Sequence, residues 1–245
     1  MSFFEFQKKI RVKLMPSGDK LAKTAQQKCG FKSSQIESDF NNCLKALLET
    51  EFKLYEQKEK ECSEKIIREA ERLKLLKKTS SLASSFKHNY QNIRGFFRSI
   101  SQSRMSRAGG SFENHVRYLF ESLKYPFNTQ TMLNGKVDYV IPSEKAFRKN
   151  RTACVVISIK RTLRERWKQV VGELVSTNAG RIYIMTADTN ISPSKIDEMK
   201  KHNVNLVVWD ELKRKQFGKY YNVTGFSQFM KIDLPSSRKM WEQLL

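Results

Sequence analysis

Asp138, Lys160 and Glu173 are the residues of this chain whose types and spacing could do chemistry together. Lys160 ends the near-continuous apolar run Ala-Cys-Val-Val-Ile-Ser-Ile-Lys over 153–160, the kind of strand that fills the middle of a sheet. Burying an ammonium there costs on the order of several kcal/mol unless an anion meets it. Asp138 lies in a second short strand over 136–141, where a period of two turns it away from Val137 and Tyr139. Two carboxylates, Asp138 and Glu173, could hold Mg²⁺, a hard cation that takes carboxylate oxygens. The lysine could then position an attacking water or offset charge on phosphoryl oxygens. Together these form the core of a metal-dependent phosphodiesterase site. A buried salt-bridge network without metal would use the same residues, and spacing alone leaves that alternative open.

The elements that must position these groups follow from periodicity. From Arg164 the apolar residues Trp167, Val170, Val171, Leu174 and Val175 form one helical stripe, with Glu173 outside it. Residues 34–78 read as helix, with Phe40, Leu44, Leu47, Leu48 and Phe52 on one face and a dense Lys/Glu stretch after them. The Ser-rich segment 79–85 and the basic polar segment 98–104 read as loops. Gly109-Gly110 leads into a helix carrying Phe112, Val116, Leu119, Phe120 and Leu123. Strands over 181–186 and 204–209, a helix after Pro193 and terminal helices complete the pattern. The order predicts an α/β protein with a mixed central sheet flanked by helices, over 99–245, preceded by a helical N-terminal region over 1–98.

Composition names the partner class. Lys and Arg number 46 against 25 Asp and Glu, a net charge of +21, which suits a polyanion bound through many phosphate contacts. Nucleic acid comes first. A membrane surface is disfavoured by the absence of an 18-residue apolar run and of a lipidation signal. Glu5 interrupts the apolar start and lysines follow it, unlike a secretory leader, so a cytoplasmic location is expected. Cys29, Cys43, Cys62 and Cys154 show no CxxC pairing and the three histidines lie far apart, which argues against zinc and for reduced, packed thiols.

Between Lys160 and the helix body stands Arg164-Glu165-Arg166. Arginine can pair bidentately with guanine and glutamate can accept from cytosine N4, so this triplet is suited to reading G·C pairs in the major groove. Thr162-Leu163-Arg164-Glu165 also fits a capping box, in which Glu165 serves only the helix start.

These residues carry a resemblance. The segment 103–115, with Arg104, Arg107, Gly109-Gly110 and Glu113, then Asp138, Ser158-Ile159-Lys160, Arg164-Glu165-Arg166-Trp167, Glu173, Ile191-Ser192-Pro193-Ser194 and Val204-Asn205-Leu206-Val207-Val208, resembles the type II restriction endonucleases of the EcoRII, PspGI and SsoII group, within the PD-(D/E)xK nuclease superfamily. The resemblance covers roughly residues 103–210. Ser158 stands where the superfamily usually has its second acid, and the group moves that acid to the helix, where this chain has Glu173.

The resemblance implies that Asp138 and Glu173 ligate Mg²⁺, that Lys160 is the catalytic lysine, and that Glu113 supports the metal site. It implies that Arg164, Glu165 and Arg166, with Arg104 and Arg107, contact double-stranded DNA, the triplet reading outer C·G pairs of a CCNGG or CCWGG site. A homodimer acting on a symmetric duplex and a cognate DNA methyltransferase are the implied partners, with the region 1–98 contacting DNA, mediating dimerisation, or both. Some of the group extrude central bases onto an aromatic side chain, for which Phe40, Phe52 and Tyr55 are candidates here, each also at helical core spacing. A repair or junction-resolving nuclease with the same metal core, and a non-catalytic basic DNA-binding protein, are the alternatives.

Overall fold

The structure is a computed structural model and describes residues 1–164 and 167–242. In chain order the elements are α1 (Phe3–Leu14), α2 (Gly18–Cys29), α3 (Ser33–Ser38), α4 (Phe40–Arg72), α5 (Leu82–Ser122), β1 (Asn128–Met132), β2 (Lys136–Ile141), α6 (Glu144–Lys149), β3 (Val155–Lys160), α7 (Trp167–Val175), β4 (Arg181–Thr186), α8 (Pro193–Lys201), β5 (Val204–Val208), α9 (Asp210–Gln216), β6 (Val223–Gly225), the short α10 (Phe226–Gln228) and α11 (Leu234–Trp241). Contacts divide the chain into two units: residues 1–29 with 47–111, and residues 30–46 with 112–245. The sequence reading placed a boundary between 98 and 99, but α5 runs unbroken through those positions.

The first unit is helical. Phe3 and Phe6 of α1 pack with Cys62, Ile66 and Ala70 of α4 and Phe96 of α5, with Ile100 against the same cluster. The segment 98–104, expected as a loop, is helix because Phe96, Ile100 and Arg104 recur every fourth residue. Phe96 and Ile100 meet the apolar cluster, and Arg104 pairs with the buried carboxylate of Glu59. Asn89 closes the turn between α4 and α5, accepting from Lys77 N–H at 2.8 Å and donating to Lys77 O at 2.9 Å. Gly109 and Gly110, expected to precede a helix, lie inside α5, and an added Cβ at either would meet nothing within 4 Å.

The second unit holds the sheet, whose six strands run in sequence order from β1 to β6. The β1–β2 and β2–β3 pairs are antiparallel, and β3 through β6 are parallel. This is the expected mixed sheet flanked by helices, with β1 and β6 as strands the sequence reading missed. Alternation along β3 sends Cys154 and Val156 to one face, into an apolar cluster with Val171 and Leu174 of α7, Ile196 and Met199 of α8 and Leu212 of α9. On aromatic contacts, Tyr139 of β2 meets Phe120 of α5 at 5.9 Å, and Tyr183 of β4 meets Phe229 at 4.9 Å. The strand expected over 153–160 is shorter at its start, since residues 151–153 form a 3₁₀ turn in which Asn150 Oδ1 accepts from Thr152 N–H. The helix expected over 34–78 breaks at Asp39, whose carboxylate accepts from Asn42 N–H at 3.2 Å and so caps α4.

Burial pushes the Cys154 thiol up to about 11 and raises that of Cys62, so both stay protonated and unreactive near neutral pH. A thiol-alkylating reagent at pH 8 should therefore label the half-buried Cys29 in the native protein and reach Cys154 only after unfolding; native labelling of Cys154 at the rate of Cys29 would contradict this packing.

Candidate active site

The β2–β3 ladder pairs Ile141 with Val155, Val140 with Val156 and Tyr139 with Ile157, then stops. The next opposed pair would be Asp138 and Ser158. Both strands continue with their other neighbours, β2 pairing with β1 as far as Lys136 and β3 with β4 as far as Lys160. The sheet therefore splits at Asp138, and its carboxylate fills the split. Asp138 Oδ2 accepts from Ser158 Oγ at 2.9 Å, from Ile159 N–H at 2.6 Å and from Lys160 Nζ at 2.8 Å. A backbone N–H that the split would have left without a strand partner is thereby satisfied, and charge-assisted bonds of this kind are about twice as strong as neutral ones.

The sequence reading put the lysine in the interior. The structure reverses the pair: the Asp138 side chain is 9% exposed and that of Lys160 36%. At the end of its strand the ammonium emerges into a cleft, so the buried charge is the acid, held by three donors.

Asp138 Oδ1 takes a longer bond, 3.4 Å, from Gln130 Nε2, and the same amide donates to Glu113 Oε1 at 3.0 Å. Gln130 on β1 thus joins Glu113 to Asp138, and the sequence reading missed it. Its backbone is left-handed, with φ 52°, at the position opposite Asp138. A non-glycine residue held there is costly and merits notice beside a site. Glu113 also takes Arg117 Nη2 at 3.4 Å, and its carbonyl accepts from the Tyr139 hydroxyl at 3.2 Å. Burial raises the Tyr139 phenol far above its ordinary value, so it remains a donor that ties α5 to β2.

Glu173 is on α7, which packs on β2 and β3 through Val171 and Leu174. It accepts from Gln169 Nε2 at 2.8 Å and, with Lys160, lines an open cleft of about 1240 Å³. Lys136, Arg164, Lys195 and Asp188 line that cleft too, giving it a cationic balance. The helix is held close to the turn between β1 and β2. Ser176 Oγ donates to Asn134 O at 2.9 Å, and a Cβ on Gly135 would lie 2.1 Å from the backbone oxygen of Glu173. Only glycine allows that approach.

Among the described residues no group of three or more His, Cys, Asp and Glu gathers as a metal cage. Glu173 lines the open cleft and Asp138 stands behind Lys160 at the strand split, carboxylates of the kind that suit a hard divalent cation keeping several of its waters.

The helix expected from Arg164 begins at Trp167, with Trp167 N–H on Arg164 O at 3.2 Å. Leu163 and Arg164 are non-helical, so Thr162 has no helix start to cap. Arg164 is exposed on the cleft, while Glu165 and Arg166 lie outside the described residues. Arg104 is in the first unit, paired with Glu59, and Arg107 there donates to Pro16 O at 2.7 Å. Of the aromatic candidates, Phe40 stacks on Phe226 in the second unit's core and Tyr55 is buried, whereas Phe52 is 48% exposed.

Residues 60–230 match the family described as EcoRII C terminal. The chain is 31% identical over 151 residues to the type II restriction enzyme SsoII of Shigella sonnei, a match covering 58% of this chain and 50% of that enzyme. It is 31% identical over 124 residues to the type II restriction enzyme EcoRII of Escherichia coli, covering 48% of this chain and 30% of that one. The chain thus spans half or less of the length of these curated relatives. Among solved structures it is similar to metal-depleted Ecl18kI in complex with uncleaved DNA, with TM-score 0.84 and 25% identity over 99% of this chain and 86% of the other. The PspGI–substrate DNA complex matches with TM-score 0.67 and 17% identity over 94% of each chain, a likeness of fold alone.

The fit of α7 against the β1–β2 turn can be tested with two glycines, Gly135 in the turn and Gly172 in the helix. Gly135→Ala should lose roughly 1–3 kcal/mol of stability through overpacking. Gly172→Ala, where an added Cβ meets nothing within 4 Å, should be neutral or gain up to about 1 kcal/mol from helix propensity. Urea midpoints of the two variants read the difference, and equal midpoints would contradict the close approach.

Proposed function

This chain belongs to the EcoRII C-terminal family, and on that premise we propose that it is a type II restriction endonuclease, a Mg²⁺-dependent enzyme that cuts double-stranded DNA at a CCNGG or CCWGG site. The observation that carries the reading is Asp138 fixed at the split between β2 and β3, with Lys160 emerging beside it into the cleft that Glu173 also lines. The relatives' names, SsoII and EcoRII, support the activity, and the DNA in the Ecl18kI complex supports the substrate class. The net charge of +21 suits that substrate.

Asp138 and Glu173 would hold the metal, with Gln130 of β1 bonding Asp138 and Glu113 of α5 supporting the site through that amide. Bound there, Mg²⁺ would supply Lewis-acid chemistry to the phosphoryl group and the attacking water. Lys160 Nζ, aligned by Asp138 Oδ2, donates to the scissile phosphate or to the attacking water and offsets charge as it develops. In-line attack by water then breaks the bond to the 3′ oxygen and leaves a 5′-phosphate. Arg164, with Glu165 and Arg166, reads the outer C·G pairs, while Arg104 and Arg107 contribute to DNA affinity from the first unit. The enzyme acts as a homodimer on the symmetric site, in the cytoplasm, with a cognate methyltransferase protecting host DNA. Among the described residues no helix is long and apolar enough to cross a membrane.

Plasmid DNA incubated with the protein and Mg²⁺ should yield discrete bands whose ends map to CCNGG-type sites, and none in excess EDTA. Asp138→Ala and Glu173→Ala should lose cleavage while still binding a cognate duplex. Lys160→Ala should cut slower by on the order of 10²–10³. Arg164→Ala should weaken binding to the cognate duplex by roughly 1–3 kcal/mol while leaving nonspecific affinity nearly unchanged. Smears, cutting confined to branched substrates, or full activity in Glu173→Ala would each overturn the reading.

A further inference from the structure

Between Lys160 and α7, Leu163 has both of its backbone polar groups bonded to charged side chains. Leu163 N–H donates to Asp188 Oδ2 at 2.8 Å, and Leu163 O accepts from Lys195 Nζ at 2.5 Å. Its side chain, 2% exposed, is sealed in the apolar cluster with Val171, Ile191 and Ile196. Asp188 is itself fixed, because its Oδ1 accepts from Asn190 N–H at 2.9 Å and its N–H donates to Thr186 Oγ1 at 3.1 Å. The buried Thr186 hydroxyl also reaches Arg161 O at 3.3 Å. A carboxylate and an ammonium on the cleft wall thus both bind backbone groups of one residue, with bonds about twice the strength of neutral ones.

The next residue is Arg164, whose carbonyl takes the first N–H of α7. Its backbone is therefore pinned on one side by the Leu163 peptide and on the other by the helix start. A guanidinium that pairs bidentately with a base edge tolerates little displacement, and misplacement by about 1 Å can cost on the order of 10²-fold in function.

We propose that Asp188, with Lys195, is a positioning residue for sequence recognition: it clamps the Leu163 peptide so that Arg164 is presented to the bases from a fixed point. The inference rests on the base-reading role proposed above for that segment. Asp188 does not touch the DNA in this account and acts through the chain it holds.

The test compares wild type with Asp188→Ala, Asp188→Asn and Arg164→Ala. Binding is measured without divalent cations, to a CCNGG duplex and to the same duplex with one outer pair changed. Amide hydrogen exchange of the DNA-free protein reads the clamp directly. In Asp188→Ala the Leu163 amide should exchange at least about tenfold faster with β3 and β4 little changed. The preference for CCNGG should fall by about tenfold while affinity for the changed duplex stays within about twofold. Asp188→Asn, which keeps one acceptor oxygen, should lie between, and it carries the test if Asp188→Ala does not fold. An unchanged Leu163 amide, or faster exchange with preference intact, would overturn the clamp's role. If Arg164→Ala loses the preference and Asp188→Ala keeps it, the clamp alone fails. A wild type that prefers neither duplex overturns the base-reading role and the specificity role with it.

Discussion

One oxygen atom, Asp138 Oδ2, holds together the place where β2 and β3 part. A sheet that splits in its interior exposes backbone donors that must find partners, and a buried carboxylate needs donors of its own. Asp138 answers both needs at once. Its three donors come from consecutive residues of β3, a hydroxyl, an amide and an ammonium, so the acid is fixed along the length of the opened strand. The opening and the proposed active site are therefore one feature. Were the ladder to run on, Ser158 and Asp138 would be an ordinary cross-strand pair and Lys160 would have no cleft to enter.

The remaining groups are brought to this opening by separate anchors. Glu173 depends on α7, which sits as close as it does because Gly135 has no side chain and Ser176 bonds the turn carbonyl. Glu113 depends on α5, tied to β2 by the protonated Tyr139 hydroxyl and to Asp138 through the Gln130 amide. Arg164 depends on the Leu163 peptide and its two charged partners. Glu173 and Arg164 are held by interactions that the Asp138 network of Gln130, Glu113 and Lys160 does not share, so substitutions at α7 or at the Leu163 clamp can be read apart from those at Asp138.

The pairing of Asp138 with Lys160 was legible in the sequence because an apolar run and a period of two place both residues at strand positions with few alternatives. The α7 stripe was legible for the same reason, and Val171 and Leu174 are buried where it placed them. What escaped was set by tertiary context. β1, Asn-Thr-Gln-Thr-Met, has no apolar run, so neither the strand nor the left-handed Gln130 that bridges two acids could be read from pattern. The helical segment 98–104 is rich in serine, and its stripe of Phe96, Ile100 and Arg104 shows only once Glu59 is known to receive the arginine. The exposure of Lys160 could not be inferred either, since the split in the sheet is set by strand divergence that local sequence does not encode.

If Asp138 and Glu173 jointly hold the catalytic metal, as proposed, iron-directed backbone cleavage will mark both residues. Fe²⁺ substituted for Mg²⁺ in the duplex-bound protein, with ascorbate and peroxide, generates radicals that cut the chain near the bound ion. The account predicts fragments ending near residues 138, 159–160 and 173, competed away by Mg²⁺ and absent in Glu173→Ala. Cuts elsewhere, or the same cuts persisting in Glu173→Ala, would contradict it.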